Sequence, residues 1–163
     1  MSTHATIVRL EPDGMATSNY HHFDGGPSSL GATLWRLAQP DGPFGGDVDK
    51  MLTTLIDDHP AGWSTINDVD WSLEPGFGGY DVNRFIGQLH GTVRVGFRPQ
   101  CYCHGDRSES SKVWRGSQDD MPQDRWTYAI DPVARTMLVI GGPLMVPLPF
   151  DIVEPDWAEL EEA

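Results

Sequence analysis

Closely spaced turn signals divide this chain into short segments, and they constrain its fold more than any other sequence feature. Glu11-Pro-Asp-Gly14, Asp24-Gly-Gly-Pro27 and Gly141-Gly-Pro143 combine residues that are typical of turns. The longest apolar run, around Met137–Ile140, is far shorter than the ~18 residues that a membrane-spanning helix needs. We therefore expect a core built from several short elements.

Residue patterns within these segments predict strands near both ends of the chain. Ala5–Leu10 and Met15–Phe23 contain residues that favour strands, and the turn between them predicts a β-hairpin. Thr92–Phe97 alternates apolar and polar residues and is a further predicted strand. A second hairpin is expected from Trp126–Ile130 and Thr136–Ile140, which flank another turn signal.

Helices are expected between these two groups of strands. Ser28–Ala38 has apolar residues at helical spacing, and Asp47 is a suitable cap for a second helix that ends near Asp58. Strands followed by helices and more strands predict an α+β fold, with two helices packed on a mostly antiparallel sheet. We expect one domain over 1–153, followed by an acidic tail or short helix over 154–163.

The composition limits the classes of partner. Eleven basic and 24 acidic residues give a net charge of −13, which disfavours nucleic-acid binding because phosphate contacts need clustered Lys and Arg. The first residues lack the basic and apolar stretches of a signal peptide, and no membrane association is expected. The chain has only two cysteines, which fits a reducing compartment, so we expect a cytoplasmic protein.

The end of the first predicted hairpin is the most distinctive candidate site. If it stays extended, Tyr20, His22 and Asp24 point to one side, while His21 and Phe23 point to the other. The following helix start has free N–H groups and a positive dipole that attract anions. Turn formation and a core histidine are the alternative explanation of the same residues. The predicted ligand-binding residues are Tyr20, His22, Asp24, Gly25 and Arg107.

This segment resembles a family of small bacteriophage and mobile-element proteins. The family begins Met-Ser-Thr and carries a Tyr-x-His-Trp-Asp-Gly-x-Pro-x-x-x-Gly motif, in which Phe23 here replaces the Trp. The resemblance covers residues 2–37 and implies a phage or mobile-element setting, but it implies no activity. Residues 104–109 match a second family segment more loosely. The residues that match the first segment are Ser2, Thr3, Ile7, Asp13, Gly14, Tyr20, His22, Asp24, Gly25, Pro27 and Gly31.

Cys101, Cys103 and His104 form a second cluster of chemically capable residues. Cys-x-Cys on a strand places both thiols on one side, and thiolates with an imidazole are zinc ligands. The spacing is tighter than in common zinc motifs, so half-buried structural cysteines remain the alternative, and no cofactor is predicted. A complete metal site would need a ligand from His21, His22 or Asp106.

Three other groups of residues have weaker chemical signals. Asp57-Asp58-His59 and Asp68-Val-Asp70 contain metal-ligand residue types, although solvated acids are the default at such positions. Ser2 would become an N-terminal nucleophile if Met1 were removed. No glycine cluster matches a standard nucleotide-binding motif.

These observations favour a phage or mobile-element accessory protein that binds without turnover. Its partner would be a host protein or a small anionic ligand, such as a nucleotide-like molecule. One alternative is a small hydrolase or transferase acting on a phosphorylated substrate, with His22 as acid or base, Asp24 as its orienter and either Arg107 or the helix N-terminus as an anion clamp. Another is a structural or assembly protein that forms a homo-oligomer through an edge strand near 145–150, although Pro147 and Pro149 disfavour continuous pairing.

Overall fold

An α+β fold, the predicted class, is formed by the residues that the computed structural model describes, which are 3–66, 71, 99–103 and 109–162. The described strands form a single sheet of eight strands with mostly antiparallel pairing. The strand predicted at Thr92–Phe97 lies outside the described residues. The strands are β1 (Ala5–Leu10), β2 (Met15–His21), β3 (Trp63–Thr65), β4 (Gln100–Cys101), β5 (Trp114–Ser117), β6 (Trp126–Asp131), β7 (Thr136–Gly141) and β8 (Leu144–Pro149).

The N-terminal strands β1 and β2 lie in the middle of the sheet, between β3 and β4 on one side and β6, β7 and β8 on the other. The strand order is β4-β3-β2-β1-β6-β7-β8, and β5 also pairs with β2. Two of the pairs, β1 with β6 and β2 with β3, are parallel. The β2 edge is shared, because its first half pairs with β5 and its last residue, His21, pairs with Trp63 of β3. The C-terminal end of β2 therefore lies beside β3 and β4.

The turn between β1 and β2 sets the register of the two strands, and this register decides which residues face each other at the end of β2. Gly14 has φ of 82°, which glycine adopts without steric cost, and its N–H donates to the Glu11 carbonyl. The two strands then pair antiparallel from Ala5 opposite His21 to Leu10 opposite Ala16. Strand β2 ends two residues earlier than the sequence predicts.

The predicted helices are present, but each contains two helical geometries. A π-helical turn over Pro27–Gly31 leads into α1 (Ala32–Leu37), and α2 (Val48–Leu52) continues as a π-helical turn over Thr53–Asp57. The predicted cap is confirmed, since the Asp47 carboxylate accepts a 3.0 Å hydrogen bond from the Lys50 N–H. Helix α3 (Trp157–Glu162) follows β8. In the described part of the chain, no helix has the length and apolar character needed to cross a membrane.

The main core lies between one face of the sheet and the two longer helical segments. Alternation along β1 sends Ile7 to this face and Val8 to the other. Burial of one such side chain contributes roughly 1.5–3 kcal/mol, so this layer supplies most of the driving force for folding. The opposite face has a small cluster around Val8. Fully buried members of the main core include Ile7, Leu30, Leu34, Leu37, Met51, Leu52, Leu55, Ile56, Trp63, Tyr128 and Ile130.

Strand β8 ends the described sheet at the side away from β4. It pairs with β7 from Leu144 opposite Gly141 to Pro149 opposite Thr136. Pro147 and Pro149 lack an N–H, which suits an edge strand and weakens pairing with a further chain. The exposed Met145 gives this edge some apolar surface.

Candidate functional site

Five rings gather at the end of β2, and we call this group the ring cluster: His4, Tyr20, His22, Phe23 and Tyr102. The Tyr20 hydroxyl lies 2.6 Å from Nδ1 of His22. The His22 ring lies 4.6 Å from the His4 ring, 4.2 Å from Phe23 and 6.5 Å from Tyr102, measured between centroids. All but Phe23 are half-buried, and Phe23 is 43% exposed. The cluster is thus packed, yet it presents ring surface to solvent.

Sheet register brings these rings together from distant parts of the sequence. Ala5 pairs with His21, so His4 lies beside His22 just beyond the paired residues. The N–H groups of His22 and Phe23 donate to the carbonyls of Trp63 and Ser64, which holds them against β3. Tyr102 directly follows β4, and its N–H donates to the Gly62 carbonyl. The sequence predicts Tyr20 and His22, but it carries no local signal for His4 or Tyr102.

The electrostatic environment keeps the Tyr20–His22 pair neutral near pH 7. Burial raises the pKa of Tyr20 to about 12, with further contributions from Asp124 and Tyr102. Burial also lowers the pKa of His22, and the neighbouring His4 lowers it further. The Tyr20 hydroxyl and Nδ1 of the neutral His22 imidazole share this hydrogen bond, and the tautomer of the ring sets which of the two donates.

Lys112 is a cation that contacts the ring cluster, and its ammonium is already engaged. Its Nζ lies 5.1 Å from the Tyr102 ring centroid and donates a 3.0 Å hydrogen bond to the Ala61 carbonyl. It also lies 3.6 Å from a carboxylate oxygen of Glu109. These contacts leave little uncompensated positive charge at the cluster.

Asp24 is placed by a turn and does not orient His22. Its φ of 54° is in the left-handed region, which Asp tolerates better than most residues. Its side chain is exposed, and the described residues include no hydrogen bond between Asp24 and His22. The hydrolase hypothesis gives Asp24 the role of orienting His22, but the side chain hydrogen-bonded to His22 is that of Tyr20.

Gly25 is required by close packing inside the fold. Its N–H donates to the Thr3 carbonyl at 2.9 Å, and its carbonyl accepts a 2.6 Å hydrogen bond from the Tyr128 hydroxyl. A Cβ atom here would lie 2.7 Å from the Thr3 oxygen and 2.8 Å from the Ala5 Cβ. Both backbone polar groups have internal partners, so Gly25 serves the turn.

The sequence predicts that an anion binds at the start of the first helical segment, but a carboxylate of the protein, that of Glu161, lies there. Ser28 Oγ donates a 2.6 Å hydrogen bond to Glu161 of α3. The same carboxylate occupies the space where a side chain on Gly26 would begin. Helix α3 thereby supplies negative charge close to the N–H groups that we expected to attract a ligand.

His21 belongs to the core, on the opposite side of β2 from His22, as strand alternation predicts. It is 1% exposed, and its Nε2 accepts a hydrogen bond from the Ile66 N–H at 3.2 Å. Burial lowers the pKa of His21 to about 3, so the ring is neutral. Its role in the described structure is to pair a backbone N–H.

A second group brings His59 together with Cys101 and Cys103. The ligand atoms of these three side chains all lie within 4.8 Å of one another, and no disulfide joins the cysteines. His59 and Cys101 are buried, and Cys103 is half-buried. The histidine that meets the thiols in the described structure is therefore His59, which the sequence places in a different ligand group. His59 lies 42 residues before Cys101, so no local sequence pattern indicates that the two side chains meet.

The other predicted site residues have different outcomes. Asp57 is engaged in a two-pronged ion pair with Arg9, with N–O distances of 2.8 and 3.1 Å. Asp58 is exposed. The other positions lie outside the described residues, so their predicted roles stay predictions. These positions are Ser2, Asp68, Asp70, His104, Asp106 and Arg107.

Comparisons with known proteins add no relative to this description. No family model matches the chain, and neither the curated proteins nor the solved structures contain a match.

Proposed function

We propose that this chain is a non-enzymatic binding protein that recognises a basic segment of a host protein through the ring cluster. The observation that carries the proposal is the packing of five partly exposed rings at one end of the sheet. Tyr and Phe are frequent at the centres of protein interfaces because they bury large areas at low entropic cost. The family resemblance supplies the setting, a single-domain accessory protein of a phage or mobile element in the bacterial cytoplasm.

Charge favours a basic protein partner over the small anionic ligand. The chain carries a net charge of −13, and the carboxylates of Asp124 and Glu109 act electrostatically on Tyr20 and His22. Faces of aromatic rings attract Arg and Lys side chains, which are also drawn to the acidic surface. An anion would meet a neutral His22, a paired Lys112 and the Glu161 carboxylate beside the helix start.

The hydrolase alternative has less support than binding. It requires Asp24 to orient His22, but Tyr20 is the residue hydrogen-bonded to the His22 Nδ1 atom. Among the described strands, the homo-oligomer alternative relies on pairing along the short edge of β8, in which prolines interrupt the N–H pattern.

The test compares capture of host proteins by the wild-type chain with capture by the double variant His22→Ala/Phe23→Ala. The matched control is Val133→Ala/Val153→Ala, which removes two exposed apolar side chains far from the cluster in sequence. We expect the control to retain a specific basic protein and the ring variant to lose it. With that protein purified, the ring variant should bind at least about 30-fold more weakly, the size of a hot-spot effect.

Circular dichroism and the urea midpoint establish that both double variants are folded. Equal capture and equal affinity for the ring variant and the wild type would refute the proposal. Loss of binding in the Val133→Ala/Val153→Ala control would also refute it, since the contact would then lie elsewhere.

A further inference from the structure

We propose that His59, Cys101 and Cys103 form a zinc-binding site. The three ligand atoms lie within 4.8 Å of one another. A tetrahedral zinc ion with bonds of about 2.0–2.3 Å holds its ligand atoms roughly 3.5–3.8 Å apart. The side chains therefore need to close by about 1 Å, which small rotations about their χ angles supply.

The backbone around the three residues is held by hydrogen bonds from several elements. Cys101 is paired with Trp63 across β3 and β4, and the His59 ring packs 4.9 Å from the Trp63 ring. The His59 carbonyl accepts hydrogen bonds from the Asn19 amide at 2.8 Å and from the Gly62 N–H at 3.2 Å. A metal ion would bind here without first paying much of the entropic cost of ordering its ligands.

Charge balance explains why a divalent ion suits this buried position. Two thiolates and a neutral imidazole carry a charge of about −2, which one Zn²⁺ cancels. Cys101 is fully buried, and His59 is 6% exposed, so the site favours a neutral assembly. The Ala61 N–H donates a 3.3 Å hydrogen bond to Cys103 Sγ, and a donor of this kind stabilises a metal-bound thiolate.

The donor set also selects the metal. Thiolates are soft ligands, and two sulfurs with one imidazole nitrogen fit Zn²⁺ and disfavour Mg²⁺ and Ca²⁺, which prefer oxygen. Three protein ligands leave a fourth position for water or an added ligand, as in catalytic zinc sites. The site does not depend on the proposed partner-binding function. It does share a segment with the ring cluster, because Tyr102 lies between the two cysteines.

The experiment measures metal content and affinity on the full chain, purified without a histidine tag and without chelator. We expect one zinc ion per chain by native mass spectrometry and elemental analysis. Replacement of zinc by Co²⁺ should produce thiolate-to-metal charge transfer and the visible bands of a four-coordinate ion. The site variants are Cys103→Ser and His59→Gln, and the control is Val133→Ala, at an exposed side chain that has no part in the site.

Each site variant should lower zinc affinity more than about 100-fold in chelator competition, because loss of even an outer-shell partner costs 10–100-fold. Val133→Ala should bind zinc like the wild type. Wild-type zinc affinity in a folded site variant, or a chain that retains no zinc and gives no thiolate–Co²⁺ absorption, would overturn the proposal. Selective retention of Cu⁺ with no zinc affinity would also overturn it.

A second measurement covers variants that fail to fold. In the wild-type chain, saturating zinc should slow alkylation of both cysteines by N-ethylmaleimide at least about 10-fold, because bound thiolates are withdrawn from reaction. Equal alkylation rates with and without zinc would refute the site. The alkylation result is independent of whether His22→Ala/Phe23→Ala captures a host protein. The zinc proposal and the partner-binding proposal can therefore fail separately.

Discussion

At the scale of single residues, two neighbouring histidines at the end of β2 lie in different environments. His21 is enclosed in the core and kept neutral, whereas His22 lies among the partly exposed rings. Their separation follows from the alternation of a strand, which the sequence predicts. The role of Tyr20 in orienting His22 depends on a contact between residues two apart, and the same alternation makes it possible.

Protonation of His21 should make the stability of the protein depend on pH. The folded pKa of His21 is about 3, below its ordinary value of 6.5, so only the unfolded chain takes up this proton as pH falls below 6.5. This contribution to stability is complete above pH 6.5 and declines by about 1.4 kcal/mol per pH unit towards pH 3. Urea unfolding between pH 7 and pH 5 should show a steeper loss for the wild type than for His21→Gln. Parallel pH profiles would contradict this assignment.

At the scale of elements, α3 closes over the first helical segment. Trp157 of α3 is buried in the main core, and its ring lies 3.3 Å from the position of a Cβ on Gly31. Glu161 of the same helix accepts the hydrogen bond from Ser28. The sequence predicts either a tail or a short helix for this segment, because a helix this short depends on tertiary contacts, here including those with Pro27–Gly31.

Removal of the Trp157 side chain should therefore destabilise the whole fold. We expect Trp157→Ala to lower the free energy of unfolding by about 3 kcal/mol, from lost burial and the cavity that remains. Val153→Ala, at a side chain that is 87% exposed, should change it by less than about 0.5 kcal/mol. Urea denaturation followed by tryptophan fluorescence and circular dichroism measures both. An equal, small effect of the two substitutions would show that α3 is not docked.

At the scale of the whole molecule, excess negative charge opposes the compact state. Eleven basic residues cannot pair one to one with 24 acidic ones, so at least 13 carboxylates remain in excess. Ion pairs such as Arg9 with Asp57 offset part of this repulsion locally. Repulsion among the remaining carboxylates is spread over the molecule and is screened by salt.

Added salt should consequently stabilise the protein. Between low ionic strength and about 0.5 M NaCl, we expect the free energy of unfolding to rise by on the order of 1 kcal/mol, as the Debye length shortens below 10 Å. The control is the same measurement near the isoelectric point of about 4.6, where the net repulsion vanishes and salt should have little effect. A urea midpoint that falls with NaCl at pH 7 would instead mean that ion pairs dominate.

The sequence by itself determines the local elements of this protein. Asp47 caps α2, Gly14 forms the first turn, and alternation separates His21 from His22, because each outcome depends on residues a few positions apart. The α+β class follows from the order of these elements.

Only the tertiary structure decides which of these elements meet. His4 and Tyr102 join the ring cluster, and His59 joins the two cysteines, through strand pairing between segments far apart in the chain. No periodicity encodes such pairings, since the register is set by the packing of the entire sheet against its helices. The physical reason is that each residue type fixes the chemistry of its own side chain, whereas the distance between two side chains depends on the packing of the complete fold.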